Sequence, residues 1–130
     1  MNREFLEAFA SADSRKPLKA AMHLLFANED LVTRQLVDDT LKYKRLEGVT
    51  EALTKLAGNA LGEAVEAVPA ELGAVPTLVI WGDRDAIISP PAVEALIRPG
   101  VSVKILEGYG HLVQVEAATE VNSLIRQLIG

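Results

Sequence analysis

The sequence predicts an α/β fold: a helical region over residues 1–68, then a βαβα unit with two parallel strands over residues 69–130. Three observations lead there. Apolar residues recur at helical spacing through the first half, and no strand-like alternation interrupts them. Two short apolar runs, TLVIWG and VSVKIL, follow in the second half, separated by helix start and stop signals. The chain then closes on Val121, Leu124, Ile125, Leu128 and Ile129, whose i, i+3, i+4, i+7, i+8 spacing describes a core-facing amphipathic helix.

Each element has its own local cause. Phe5, Leu6 and Phe9 share one side of a short first helix. Ser14 is a candidate cap for a second, with Pro17 in its first turn and Leu18, Ala21, Met22 and Leu25 on one face. Thr33 caps a third helix that runs to about Leu46 and is stopped by Gly48. Val49, Ala52, Leu53, Leu56, Ala57 and Ala60 give a fourth the cleanest period in the chain. Residues 62–73, rich in Ala and Glu, read as the linker between the halves. Pro76 opens the first strand, whose continuous apolar character suits burial on both faces. Ser89-Pro90-Pro91 starts a crossover helix that Pro99-Gly100 closes, and 101–108 alternates as the second strand.

Composition narrows the functions. At 130 residues with 49% hydrophobic and 24% charged residues, the chain can bury a core as one ordinary domain. A net charge of −5 without a basic stripe argues against nucleic acid as a partner. No apolar run approaches the roughly 20 residues of a membrane span, and residues 1–20 carry charges throughout, unlike a signal peptide. The absence of cysteine excludes disulfides and thiolate metal sites, and a cytoplasmic location fits it.

The chemistry concentrates at the strand ends. LVIWGDRDAII sends the first strand straight into Asp83 and Asp85, and GYGHLVQVE places His111 after the second. Parallel neighbouring strands open their following loops at one edge, where α/β sheets collect their sites, about 4.8 Å apart. Asp85 and His111 then emerge side by side, the arrangement in which a carboxylate holds the Nδ1–H of a general-base histidine. Gly108 and Gly110 allow the sharp turn that aims the ring. Asp83 reads as a turn or ion-pairing residue, with Arg84 as a partner. Asp83, Asp85, His111 and Glu116 have metal-ligand chemistry, but their spacing singles out no metal. His23 falls off its helix's apolar stripe and reads as a surface residue, and Trp81 reads as core or pocket wall. Lys42, Lys44 and Arg45 read as a solvated helix face, with contact to an anionic group as the alternative; Asp38 and Asp39 on the same helix weaken that alternative.

IWGDRDAIISP and EGYGHLVQVEAATEVNSLI resemble the acid and histidine segments near the C-terminus of α/β-hydrolases. The resemblance implies a partial α/β-hydrolase fold with Asp85 as the triad acid and His111 as the triad histidine. LFANEDLVTRQLVDDTLKYKRLEGV (25–49) resembles the helical cap region of the hydrolase-like dihydrolipoamide acetyltransferase component of acetoin dehydrogenase complexes, which makes residues 1–68 cap-like. The family's nucleophile sits in a Gly-x-Ser-x-Gly elbow, and this sequence has none. Gly100-Val101-Ser102-Val103-Lys104 lacks the final glycine and opens a strand instead of ending one.

The family order of serine, acid, histidine implies that the nucleophile, the early strands and the oxyanion loop precede residue 1. The reading is therefore the C-terminal portion of an acyltransferase or hydrolase, inactive alone. Its acyl substrate would be a small molecule, no cofactor would sit in this chain, and a lipoyl group would belong to an N-terminal part. The alternatives are a half-domain serving as an interaction or assembly module, and an ester or carbon–carbon bond hydrolase fragment. Two strands leave an open edge, so self-association or pairing with the missing half follows.

Overall fold

The computed structural model describes residues 2–61, 75–88, 96 and 98–130. The predicted linker at 62–73, the boundary at 68/69 and, Leu96 apart, the predicted helix at 89–97 lie outside the described residues.

Four helices build the first half: α1 (Arg3–Ser11), α2 (Arg15–Met22), α3 (Arg34–Lys44) and α4 (Val49–Leu61). Two single 3₁₀ turns, His23–Leu25 and Glu29–Leu31, lie between α2 and α3. Asn2 caps α1 by accepting from the Phe5 N–H at 3.0 Å, and Thr33 caps α3 by accepting from Leu36. Ser14 occupies the cap position of α2 but makes no side-chain capping bond. Two boundaries are shorter than predicted. α2 gives way at Met22 to the tighter turn, and α3 ends at Lys44. Gly48, at φ 80°, then swings the chain into α4.

The helical core is Ala12, Leu18, Met22, Phe26, Val32, Val37 and Leu41, with Phe9, Leu25, Leu31 and Leu36 packed on it. Lys44 corrects the solvated-face reading of its cluster. It is 6% exposed, and its ammonium donates to the carbonyls of Phe9 at 2.6 Å and Ala10 at 3.1 Å, 5.1 Å from the Phe9 ring centroid. The last carbonyls of α1 have no helical partner, and this cation satisfies two of them. Lys42 and Arg45 remain exposed, with Lys42 paired to Asp39. His23 is half-buried, not on the surface as predicted: it opens the first 3₁₀ turn, with its Nδ1 3.5 Å from the Glu29 carboxylate.

The second half holds β1 (Thr77–Gly82), β2 (Val101–Leu106), α5 (Val113–Glu116) and α6 (Ala118–Ile129). The strands pair in parallel, from Thr77 opposite Val101 to Gly82 opposite Leu106, so both carboxyl ends reach one edge. Leu106, Val113, Ala117 and Val121 form a second core, joined by Ile80, Tyr109 and Leu124. The predicted core-facing stripe of α6 holds only at its start. Val121 is buried, whereas Ile125 and Leu128 are 43% exposed and Ile129 is 76% exposed. Two described strands cover only the first turns of that helix. No helix among the described residues is long and apolar enough to cross a membrane.

Candidate active site

Gly82 ends β1, and the turn after it is held by the opposite loop. The Asp83 N–H donates to Leu106 O at 3.1 Å and the Arg84 N–H to Tyr109 O at 3.0 Å. Asp83 is a turn residue: its Oδ1 accepts the Gly108 N–H at 2.6 Å and ties the two strand ends together. The preceding residue, Gly82, lies against the 109–110 peptide with no room for a side chain. A Cβ on Gly82 would stand 2.2 Å from the carbonyl oxygens of Tyr109 and Gly110.

Asp85 turns inward. Its Oδ1 accepts the N–H groups of Ile87 at 2.8 Å and Ile88 at 3.0 Å, a local carboxylate turn that fixes the side chain. Its Oδ2 lies 2.8 Å from His111 Nδ1. The Asp85 side chain is 3% exposed and that of His111 is 30% exposed. A carboxylate only accepts, so Nδ1–H is the donor, and in the neutral ring Nε2 carries the free lone pair. Asn2 braces the acid loop from the helical half, donating its N–H to Ile87 O at 2.7 Å and Nδ2–H to Ala86 O at 3.0 Å.

Ile80, Trp81, Gly82, Asp85, Ile88 and His111 line a cleft of about 220 Å³. Trp81 is thus a pocket wall, and its buried indole N–H has no partner among the described residues. Larger clefts, up to about 470 Å³, lie on the helical half and touch neither Asp85 nor His111. The chemistry of the pair outweighs volume in choosing the site.

No family model matches the chain. Curated relatives do, among them two of the same name. The dihydrolipoyllysine-residue acetyltransferase component of the acetoin cleaving system of Cupriavidus necator is 42% identical, over all of this chain and 36% of the relative. The component of the same name from Pseudomonas putida is 46% identical over 94% of this chain and 33% of its own length. The chain thus spans about a third of the length of these relatives. The meta-cleavage product hydrolase from Pseudomonas fluorescens IP01 superposes on 97% of the chain with a TM-score of 0.79 at 18% identity, across 49% of its own chain. The chain carries part of an α/β-hydrolase fold.

Within that α/β-hydrolase architecture, the parallel edge brings Asp85 and His111 together and leaves Ser102 apart. Ser102 is exposed at the opposite end of β2, about 13 Å of strand from Leu106. Glu116 does not join the pair as a metal ligand. Its carboxylate accepts backbone N–H groups of Ala27, Asn28 and Gly110, and no group of three metal-binding side chains gathers among the described residues. Sequence reasoning missed that role, and it missed Asn2. A signal for Glu116 was present: it is the sole acid in YGHLVQVEAA, among apolar neighbours where a partly buried carboxylate needs donors.

Proposed function

We propose that this chain is the acid-and-histidine portion of an α/β-hydrolase-type acyltransferase or hydrolase. Asp85 fixes the Nδ1–H of His111, and Nε2 takes the proton from a serine supplied outside the chain as that serine attacks an acyl carbon. The observation carrying this is the 2.8 Å Nδ1–Oδ2 contact, made by a carboxylate already locked by two backbone N–H groups. The acetyltransferase names of the relatives favour acyl transfer to or from a thiol, of a lipoyl or coenzyme A group, as the specific reaction. Ester and carbon–carbon bond hydrolysis are the broader alternatives. A lipoyl group would be carried on another part of the protein, and a cytoplasmic location accompanies this reading.

The same reading supplies a cover for the exposed apolar side chains Ile105, Ile125, Leu128 and Ile129: the rest of the fold, or a second copy when the chain stands alone. That exposed surface also favours a second reading, a non-catalytic assembly module. A fluorophosphonate probe separates the two. The chain alone should not be labelled. Fused to the part of the Cupriavidus necator relative outside the matched region, it should support labelling that His111→Ala and Asp85→Asn abolish. Labelling that survives both substitutions would remove the base role.

A further inference from the structure

We infer that Glu116 is a positioning residue: its one carboxylate locks the His111 loop onto the helical half, so that the 26–28 turn and the imidazole move as a unit. This rests on the base role proposed for His111.

The geometry gives Glu116 three backbone donors from two distant parts of the chain. Oε1 accepts the N–H groups of Ala27 at 2.8 Å and Asn28 at 2.9 Å, in the stretch between the two 3₁₀ turns. Oε2 accepts the Gly110 N–H at 2.6 Å, in the residue immediately before His111. None of these groups has a ladder or helix partner in its place, and charge-assisted bonds of this kind are the stronger class. Two further contacts stitch the same seam. The Leu112 N–H donates to Leu25 O at 3.2 Å, and Leu112 packs against the helical core. His111 is therefore flanked on both sides by residues anchored to the helical half.

Gly110 shows how closely the parts meet. A Cβ there would lie 2.6 Å from Ala27 N, 2.9 Å from the Phe26 carbonyl carbon and 2.9 Å from Glu116 Oε2. The seam admits no side chain, and a displacement of residues 26–28 has to move Gly110. On this account, ligand contacts on the helical half reach the base through Glu116, and that half does not swing as a free lid.

Glu116→Gln separates the clamp from ordinary structural support. A glutamine has one acceptor oxygen; set toward Ala27 and Asn28, it turns an NH₂ toward the Gly110 N–H, donor against donor. NMR on the full chain should show the Gly110 amide exchanging about tenfold to a hundredfold faster, the Ala27 and Asn28 amides little changed, and the His111 Nδ1–H signal broadened or lost. Glu116→Ala should release all three amides. Asp85→Asn, the control, should lose the His111 signal and leave the three amides protected. An unchanged His111 signal in Glu116→Gln, with Gly110 exchanging faster, would overturn the positioning role. If the variants unfold, hydrogen-bond scalar couplings from the Glu116 carboxylate carbon to the three amide nitrogens test the clamp in the unsubstituted chain; no coupling to Gly110 would overturn it. Loss of the base role would show in the probe experiment on His111→Ala, whereas failure of the clamp leaves that result standing.

Discussion

Replacing Gly82 by alanine is the sharpest test of how the two loops are held together. The new Cβ would meet Tyr109 O and Gly110 O at 2.2 Å and the Tyr109 carbonyl carbon at 2.7 Å. All three are backbone atoms, so no side chain can rotate away. Relief requires the 109–110 peptide to retreat by about 1 Å, which stretches the 3.0 Å Arg84 N–H···Tyr109 O bond and strains the 2.6 Å bond from Gly110 to Glu116. Overpacking costs about 1–3 kcal/mol, and weakening a partly buried hydrogen bond adds about 1–2 kcal/mol. The sum, about 2–5 kcal/mol, corresponds to a Tm roughly 8–20 °C lower in a domain of this size. Urea unfolding followed by circular dichroism measures it. Gly58→Ala is the matched control: it lies in α4 with nothing within 4 Å of a new Cβ, and should stabilise by up to about 1 kcal/mol. A Gly82→Ala chain within about 0.5 kcal/mol of the parent would refute the close approach of the two loops.

Two further variants test the helical half. The Arg15 hydrogen bond lowers Asp38 below its ordinary 3.8, and the Lys42 hydrogen bond lowers Asp39 likewise. Depressed carboxylates stabilise fully above 3.8 and lose that contribution as pH falls through their folded values. The Asp38→Asn, Asp39→Asn double variant should therefore flatten the acid limb of the urea midpoint; an unchanged limb contradicts the pairing. Burial lowers Lys44 below 10.5, so the unfolded chain binds more protons in that window and the Lys44 contribution to stability rises with pH toward 10.5. Lys44→Met should remove that rise, and a persisting rise would mean the ammonium is solvated.

Much of this molecule was legible in the sequence, for identifiable reasons. The period of Val49 through Ala60 is long and clean, and α4 spans Val49–Leu61. The apolar TLVIWG run and the alternating VSVKIL run each became a parallel strand. That pairing then brought Asp85 to His111, twenty-six residues on, because the loops after two parallel neighbouring strands share an edge. Lys44 escaped because a charged residue reads as solvated until the unpaired carbonyls of another helix are known. The outer turns of α6 escaped for the converse reason: an apolar stripe specifies a face to be covered without naming what covers it. Glu116 shows a third limit, since its three donors come from residues up to 89 positions away.

The bond from the His111 imidazole to the Asp85 carboxylate is the central claim, and the tautomer of that ring is its most direct measurement. Nitrogen-15 NMR of the ring at neutral pH should find Nδ1 protonated, with a proton signal far downfield that vanishes in Asp85→Asn while the amide spectrum of β1 and β2 stays in place. A ring protonated on Nε2 alone, or an Nδ1 proton indifferent to Asp85→Asn, would contradict the account.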